Sequence, residues 1–185
     1  THLPVFYMQG GLKGQPLQKG QLRFGNKRDE FLEILEQSKK ALSNAPEDFT
    51  LGIAPHSLRA VSPDSLKEIV QTKTSGPVHI HIAEQLKEVN DVLENFGARP
   101  VEWLLDNENV DSRWCLIHAT HMIPNEIQNI SKSKAVVGVC PITEANLGDG
   151  IFEGRKLILQ GGRYGIGSDS NIRIALTEEL RFLEY

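Results

Sequence analysis

The chain has 185 residues, enough for one well-cored domain, and its 39% hydrophobic and 24% charged content is ordinary for a soluble globular protein. A formal net charge of −4 gives no electrostatic reason to expect nucleic acid or an anionic membrane surface as a partner. No apolar run approaches the roughly 18 residues that a membrane span needs.

The opening stretch, "THLPVFYMQGG", has no basic segment followed by an apolar core, so it does not read as a signal peptide. It lacks an initiating Met, and the sequence is expected to be a processed form or a piece of a longer chain. "LPVFYM" (3–8) predicts a strand. Residues 27–44 predict a helix, with Phe31, Leu32, Leu35 and Leu42 on one apolar stripe. "FTLGIAP" (49–55) is strand-like. Ser62 and Pro63 supply an N-cap and a first-turn proline for a helix over about 63–72. In "PVHIHIA" (77–83), Val78, Ile80 and Ile82 alternate with His79 and His81, which is strand periodicity. "EQLKEVNDVLENF" (84–96) predicts a helix closed by Gly97, and Pro100 starts a short helix through "VEWLLDN". "WCLIHA" (114–119) reads as a strand, "PNEIQNISKS" (124–133) as a helix and "AVVGVCP" (135–141) as a strand followed by a Gly-rich loop. "YGIGSDS" (164–170) is the last strand and "ALTEELRFLEY" (175–185) the last helix, with Ser170 a candidate cap. The two cysteines, Cys115 and Cys140, lie in apolar strand-like runs, which favours buried, reduced thiols in a cytoplasmic protein.

Six strands separated by helices, several of them apolar throughout, indicate an α/β protein with a parallel sheet covered on both faces. A doubly wound sheet and a (β/α)8 barrel both fit. No Gly-x-Gly-x-x-Gly turn follows the first strand, so a dinucleotide-binding unit has little support.

Reactive residues collect at the C-terminal ends of the predicted strands. His56 and Arg59 follow the second, His81 and Glu84 end the third, and His118 and His121 end the fourth. Thr143 and Glu144 follow the fifth, and Asp169 ends the sixth. In (β/α)8 enzymes the active site is built at that end from several strands. A single His-x-x-Glu is weak, because histidines are commonly solvated or buried for packing. In combination, two His and one Asp at successive strand ends are donor types that zinc or ferrous iron accept. A nearby Glu could then carry a proton between a water nucleophile and a leaving group.

"HIAEQ" (81–85), "IHATH" (117–121) and "GIGSDS" (165–170) resemble strands five, six and eight of the amidohydrolase superfamily. "APHSLRAVSPDSL" (54–66), "CPITEANLGDGIF" (140–152) and "SDSNIRIALTEELRFLEY" (168–185) resemble its formimidoylglutamate deiminase branch. The resemblance runs over nearly the whole chain. It implies His81 and Asp169 as ligands of one divalent metal, zinc or alternatively iron or manganese. Glu84 would be the proton shuttle, His118 would polarise the attacked group, and Asp169 would also hydrogen-bond the nucleophile. His56 and Arg59 would bind a small-molecule substrate, Arg59 pairing with a carboxylate through two parallel hydrogen bonds. The activity implied is hydrolytic deimination of N-formimino-L-glutamate to N-formyl-L-glutamate and ammonia, a step of histidine degradation.

The superfamily's first-strand His-x-His has no counterpart here, because the context of His79 and His81 matches strand five. By the resemblance, residues 1–185 are a single partial barrel domain running from about strand three to the helix after strand eight. The first two strands and a flanking β-domain are absent. An incomplete barrel exposes strand edges, so the chain is expected to self-associate as a homo-oligomer, rearrange or be poorly soluble, and to be inactive alone. Asn171 stands where the resemblance implies a histidine or another polar residue after Ser-Asp-Ser. His79 reads as a buried structural histidine. Two rivals stay open: a deaminase acting on a purine, pyrimidine or triazine ring, and a non-catalytic fragment serving as an interaction module.

Overall fold

Alternating apolar side chains, capped helices and glycine stops account for most of the elements in the computed structural model, which describes residues 1–72, 74 and 76–184. These residues form two compact units, Thr1–Ile80 and His81–Tyr185, with the boundary inside one strand.

In the first unit, β1 (Val5–Phe6) pairs in parallel with β2 (Ala54–Pro55). The predicted strand over 49–55 is shorter than expected, and bridges extend it: His2 pairs with Leu51, and Ile53 with Val78, both parallel. Gly52 permits this close pairing, since a Cβ there would lie 2.1 Å from the Pro77 carbonyl oxygen. Helix α1 (Arg28–Leu42) buries Phe31 and Leu35 of its predicted stripe, while Leu32 and Leu42 are half-buried. The Phe31 ring packs 5.0 Å from that of Phe6, centroid to centroid, which ties helix to strand. Ser62 caps α2 (Pro63–Val70) as its sequence predicts, accepting the Ser65 amide at 3.3 Å.

The strand β3 (Val78–Ile82) begins a sheet ordered β3-β4-β5-β6, with β4 (Trp114–His118), β5 (Val136–Val139) and β6 (Arg163–Ile166). The β4–β5 and β5–β6 pairs are parallel, with Cys115 opposite Val136 and Val139 opposite Ile166. One face, carrying Ile80, Ile82, Trp114, Leu116, Val137 and Val139, is buried. The other carries His79, His81, Cys115, Ile117 and Gly138 and is half-buried. Period two therefore sorts apolar bulk to one side and the histidines to the other. Fully buried aliphatic side chains contribute about 1.5–3 kcal/mol each, so the first face holds the fold and leaves the second for chemistry.

Helices α3 (Leu86–Phe96), α4 (Pro100–Asn107) and α5 (Pro124–Ser133) form the second unit's cover, burying Val89, Val92, Val101, Leu104, Ile127 and Ile130. Gly97 ends α3 at φ 75°, the left-handed stop its position predicts. The Gly-rich loop expected after β5 contains two helices instead, α6 (Pro141–Leu147) and α7 (Gly154–Leu159). Each is under two turns long, too short to show a helical period, yet Pro141 starts α6 and left-handed Gly148 stops it. Helix α8 (Leu176–Glu184) begins six residues after Ser170, which therefore does not cap it; the last residue of the predicted helix, Tyr185, lies outside the described residues. Ser170 donates its hydroxyl to Asp169 at 3.3 Å instead. Among the described residues no helix is long and apolar enough to cross a membrane.

Candidate active site

In the second unit the strand-end residues converge on His118. Its ring lies 5.5 Å from that of His81, centroid to centroid. Its Nε2 is 3.7 Å from Glu84 Oε1, and its Nδ1 is 3.0 Å from Glu144 Oε1. Strict alternation along β4 would put His118 on the buried face with Trp114 and Leu116. A φ of 67° at His118, followed by 48° at Ala119, breaks the alternation and turns the ring toward His81. Ala83 after β3 and Asp169 after β6 also have positive φ, 50° and 51°. Non-glycine residues in this region cost energy, and they gather at functional sites where the surroundings hold them.

Burial pulls the His118 pKa down, but the Glu144 hydrogen bond and the charges of Glu84, Glu144 and Asp169 outweigh it. The result lies above the ordinary histidine value. Asp169 is exposed and accepts the Ser170 amide at 2.6 Å. Buried Glu88 fixes the Glu84 backbone: its two oxygens accept the amides of Ala83 and Glu84 at 3.2 and 3.1 Å. Glu88 reads as one more exposed helix charge in the sequence; its place at N3 of α3, reaching back to the strand end, was the available signal. Glu144 was visible only as a strand-end acid.

Arg99 donates to Glu126 at 3.2 Å and also to the His121 carbonyl, closing the loop after β4. His79 is half-buried, its amide donates to the Ile53 carbonyl, and burial lowers its pKa. Burial pushes the Cys115 thiol up to about 11. It pushes Cys140 up to about 12, helped by the charges of Asp169, Glu144 and Glu179. Both cysteines are free thiols.

In the first unit, His56 and Arg59 flank the turn after β2. The His56 ring meets Tyr7 edge-on at 4.5 Å, and its Nδ1 is 3.1 Å from Ser57 Oγ. Buried Gln9 donates to the Arg59 carbonyl at 3.2 Å. Tyr7 and Gln9 sit in a stretch that reads only as strand and loop, and nothing in their spacing marks them.

As metal donors, His81 and Asp169 fit a divalent cation in kind but not in number. Among the described residues no group of three or more His, Cys, Asp or Glu side chains is placed to hold one.

Residues 11–184 match the amidohydrolase family model. The chain is 49% identical, over all of its length, to formimidoylglutamate deiminase of Pseudomonas aeruginosa. It is 34% identical over 156 residues to a 5-methylthioadenosine/S-adenosylhomocysteine deaminase of Archaeoglobus fulgidus. These matches span 41% and 38% of the two relatives. A crystal structure of an amidohydrolase from Brucella melitensis superimposes with a TM-score of 0.94 at 51% identity, over 99% of this chain and 41% of that one. A zinc-bound adenosine deaminase from Xanthomonas campestris superimposes at 0.80 with 20% identity, over 97% of this chain and 39% of that one, which speaks for the fold alone. Between the two architectures that the sequence leaves open, the parallel strands and their helices are thus those of an incomplete (β/α)8 barrel. The chain belongs to the amidohydrolase family.

Proposed function

We propose that the protein carrying this chain hydrolyses N-formimino-L-glutamate to N-formyl-L-glutamate and ammonia, as a step in histidine degradation. The observation that carries the reading is His118 held between Glu84 and Glu144 in a chain 49% identical to a formimidoylglutamate deiminase. The acid, the ring and the strained strand ends suit proton transfer at a C–N bond.

Glu84 takes a proton from water, and the water oxygen attacks the formimino carbon. The C=N pair moves to nitrogen and a tetrahedral centre forms. Glu84 returns the proton to that nitrogen, then carries the proton of the new hydroxyl to the same nitrogen, so the C–N bond breaks, ammonia leaves and the oxygen becomes the carbonyl. His118 Nε2 faces Glu84 and the reacting centre, where its lone pair can accept a hydrogen of the attacking water and orient it. Arg59, with His56 beside it, pairs with a substrate carboxylate. His81 and Asp169 would be two ligands of a divalent metal, zinc, iron or manganese, whose remaining ligands come from residues beyond this chain. The chemistry such a cation supplies is a water acidified toward neutrality.

The 34% identity to a methylthioadenosine deaminase favours one rival, a purine-type substrate. A neutral ring would have no use for Arg59. The test is ammonia release by the full-length protein with N-formimino-L-glutamate. Turnover is expected; its absence with that substrate would sink the reading. The 185-residue chain alone is expected to show none.

A further inference from the structure

We infer that Glu144 is a positioning residue: it orients His118 and fixes Nδ1 as the protonated ring nitrogen, leaving Nε2 to face Glu84. This rests on the reading of the site as a deiminase centre.

Glu144 is buried, and its Oε1 already accepts the Cys140 amide at 2.8 Å. The same oxygen lies 3.0 Å from His118 Nδ1, so the ring is the donor of that contact. The Cys140 amide anchors the carboxylate to the end of β5, and Glu144 itself stands in the first turn of α6. The acid is therefore held from its own backbone, independently of the histidine. His118 needs such an anchor, because its positive φ turns the ring out of the face its strand would give it. A ring whose second nitrogen is tied to a carboxylate keeps one tautomer and one orientation, which is what a histidine acting on a reacting centre requires. The Glu144 side chain sits on the Nδ1 side of the ring, away from Glu84, so it acts through His118 and not on the substrate.

Two readouts test this in the full-length protein. Nitrogen-15 NMR of the His118 ring is expected to show Nδ1 protonated in the wild type and that preference lost in Glu144→Ala. An unprotonated Nδ1 in the wild type would overturn the assignment. In kinetics, Glu144→Gln is expected to lower kcat about 100-fold with little change in KM. In a His118→Gln background the same substitution is expected to have no further effect. An equal loss in both backgrounds would show a merely structural role and overturn the inference. If the wild type turns over no N-formimino-L-glutamate, the functional reading fails, and the NMR result still decides the role of Glu144.

Discussion

Glu84 is placed by two constraints that meet at its backbone. The Ala83 turn, at φ 50°, swings the chain off β3, and Glu88 holds the Ala83 and Glu84 amides. A carboxylate so held, 3.7 Å from His118 Nε2, can shuttle a proton without searching for its geometry. Glu84→Gln keeps the shape and removes the base. Its kcat on N-formimino-L-glutamate is expected to fall by about 10³-fold with KM nearly unchanged, read from steady-state ammonia release. A rise in KM with kcat intact would contradict the shuttle role. The His81–Glu84 pair was legible in the sequence because strand alternation exposes it directly. The ring orientation of His118 was not, since alternation puts it on the opposite face and only its positive φ brings it round. The contacts of Glu88 and Glu144 were hidden for a related reason: each acts on a strand end from a neighbouring helix, and helix periodicity records only which face is apolar.

Between elements, the contact of Arg99, before α4, with Glu126, in α5, shows how the second unit treats buried charge. Glu126 is fully buried, accepts the Ile123 amide at 2.8 Å and meets Arg99 at 3.2 Å. Burial raises its pKa above the ordinary 4.5, only partly offset by the Ile123 amide and Arg99. The folded protein therefore keeps the proton where the unfolded chain has lost it, so stability drops as pH rises from 4.5 through the raised value. Glu126→Gln cannot ionise and removes that slope. Urea midpoints of the two proteins are expected to diverge over this window, with the wild type losing up to about 1.4 kcal/mol relative to the variant for each pH step of one inside it. Parallel curves would show that Arg99 and the Ile123 amide fully compensate the charge. Caps and stops at Ser62, Pro63 and Gly97 were readable because each acts locally, within three or four residues of its own position. The short helices α6 and α7 were not, because under two turns carry no period.

The whole chain has an edge problem. β6 is the last strand of its sheet, its residues Arg163, Tyr164 and Gly165 are exposed, and Ile151, Leu159, Ile172 and Ile174 are each at least 73% exposed. An open parallel edge beside exposed apolar side chains favours association. Sedimentation velocity on the 185-residue chain is expected to show concentration-dependent species larger than the monomer. A single monomeric species at all concentrations would contradict this. The alternation of strands and helices made a parallel α/β architecture legible but fitted a doubly wound sheet as well as a barrel, and the barrel was read from the motif resemblance. His56 and Arg59, proposed to bind the substrate, stood out as residue types, whereas Tyr7 and Gln9, which contact them, carried no sequence signal.

The proposed activity requires that this barrel serve a carboxylate-bearing formimino substrate and not a purine. The deciding comparison is kcat/KM for ammonia release from N-formimino-L-glutamate and from 5-methylthioadenosine, using the full-length protein and its Arg59→Ala variant. A preference of at least about 10³-fold for the formimino substrate is expected, eroded in Arg59→Ala chiefly through a higher KM. Equal or better turnover of 5-methylthioadenosine, indifferent to Arg59, would contradict it.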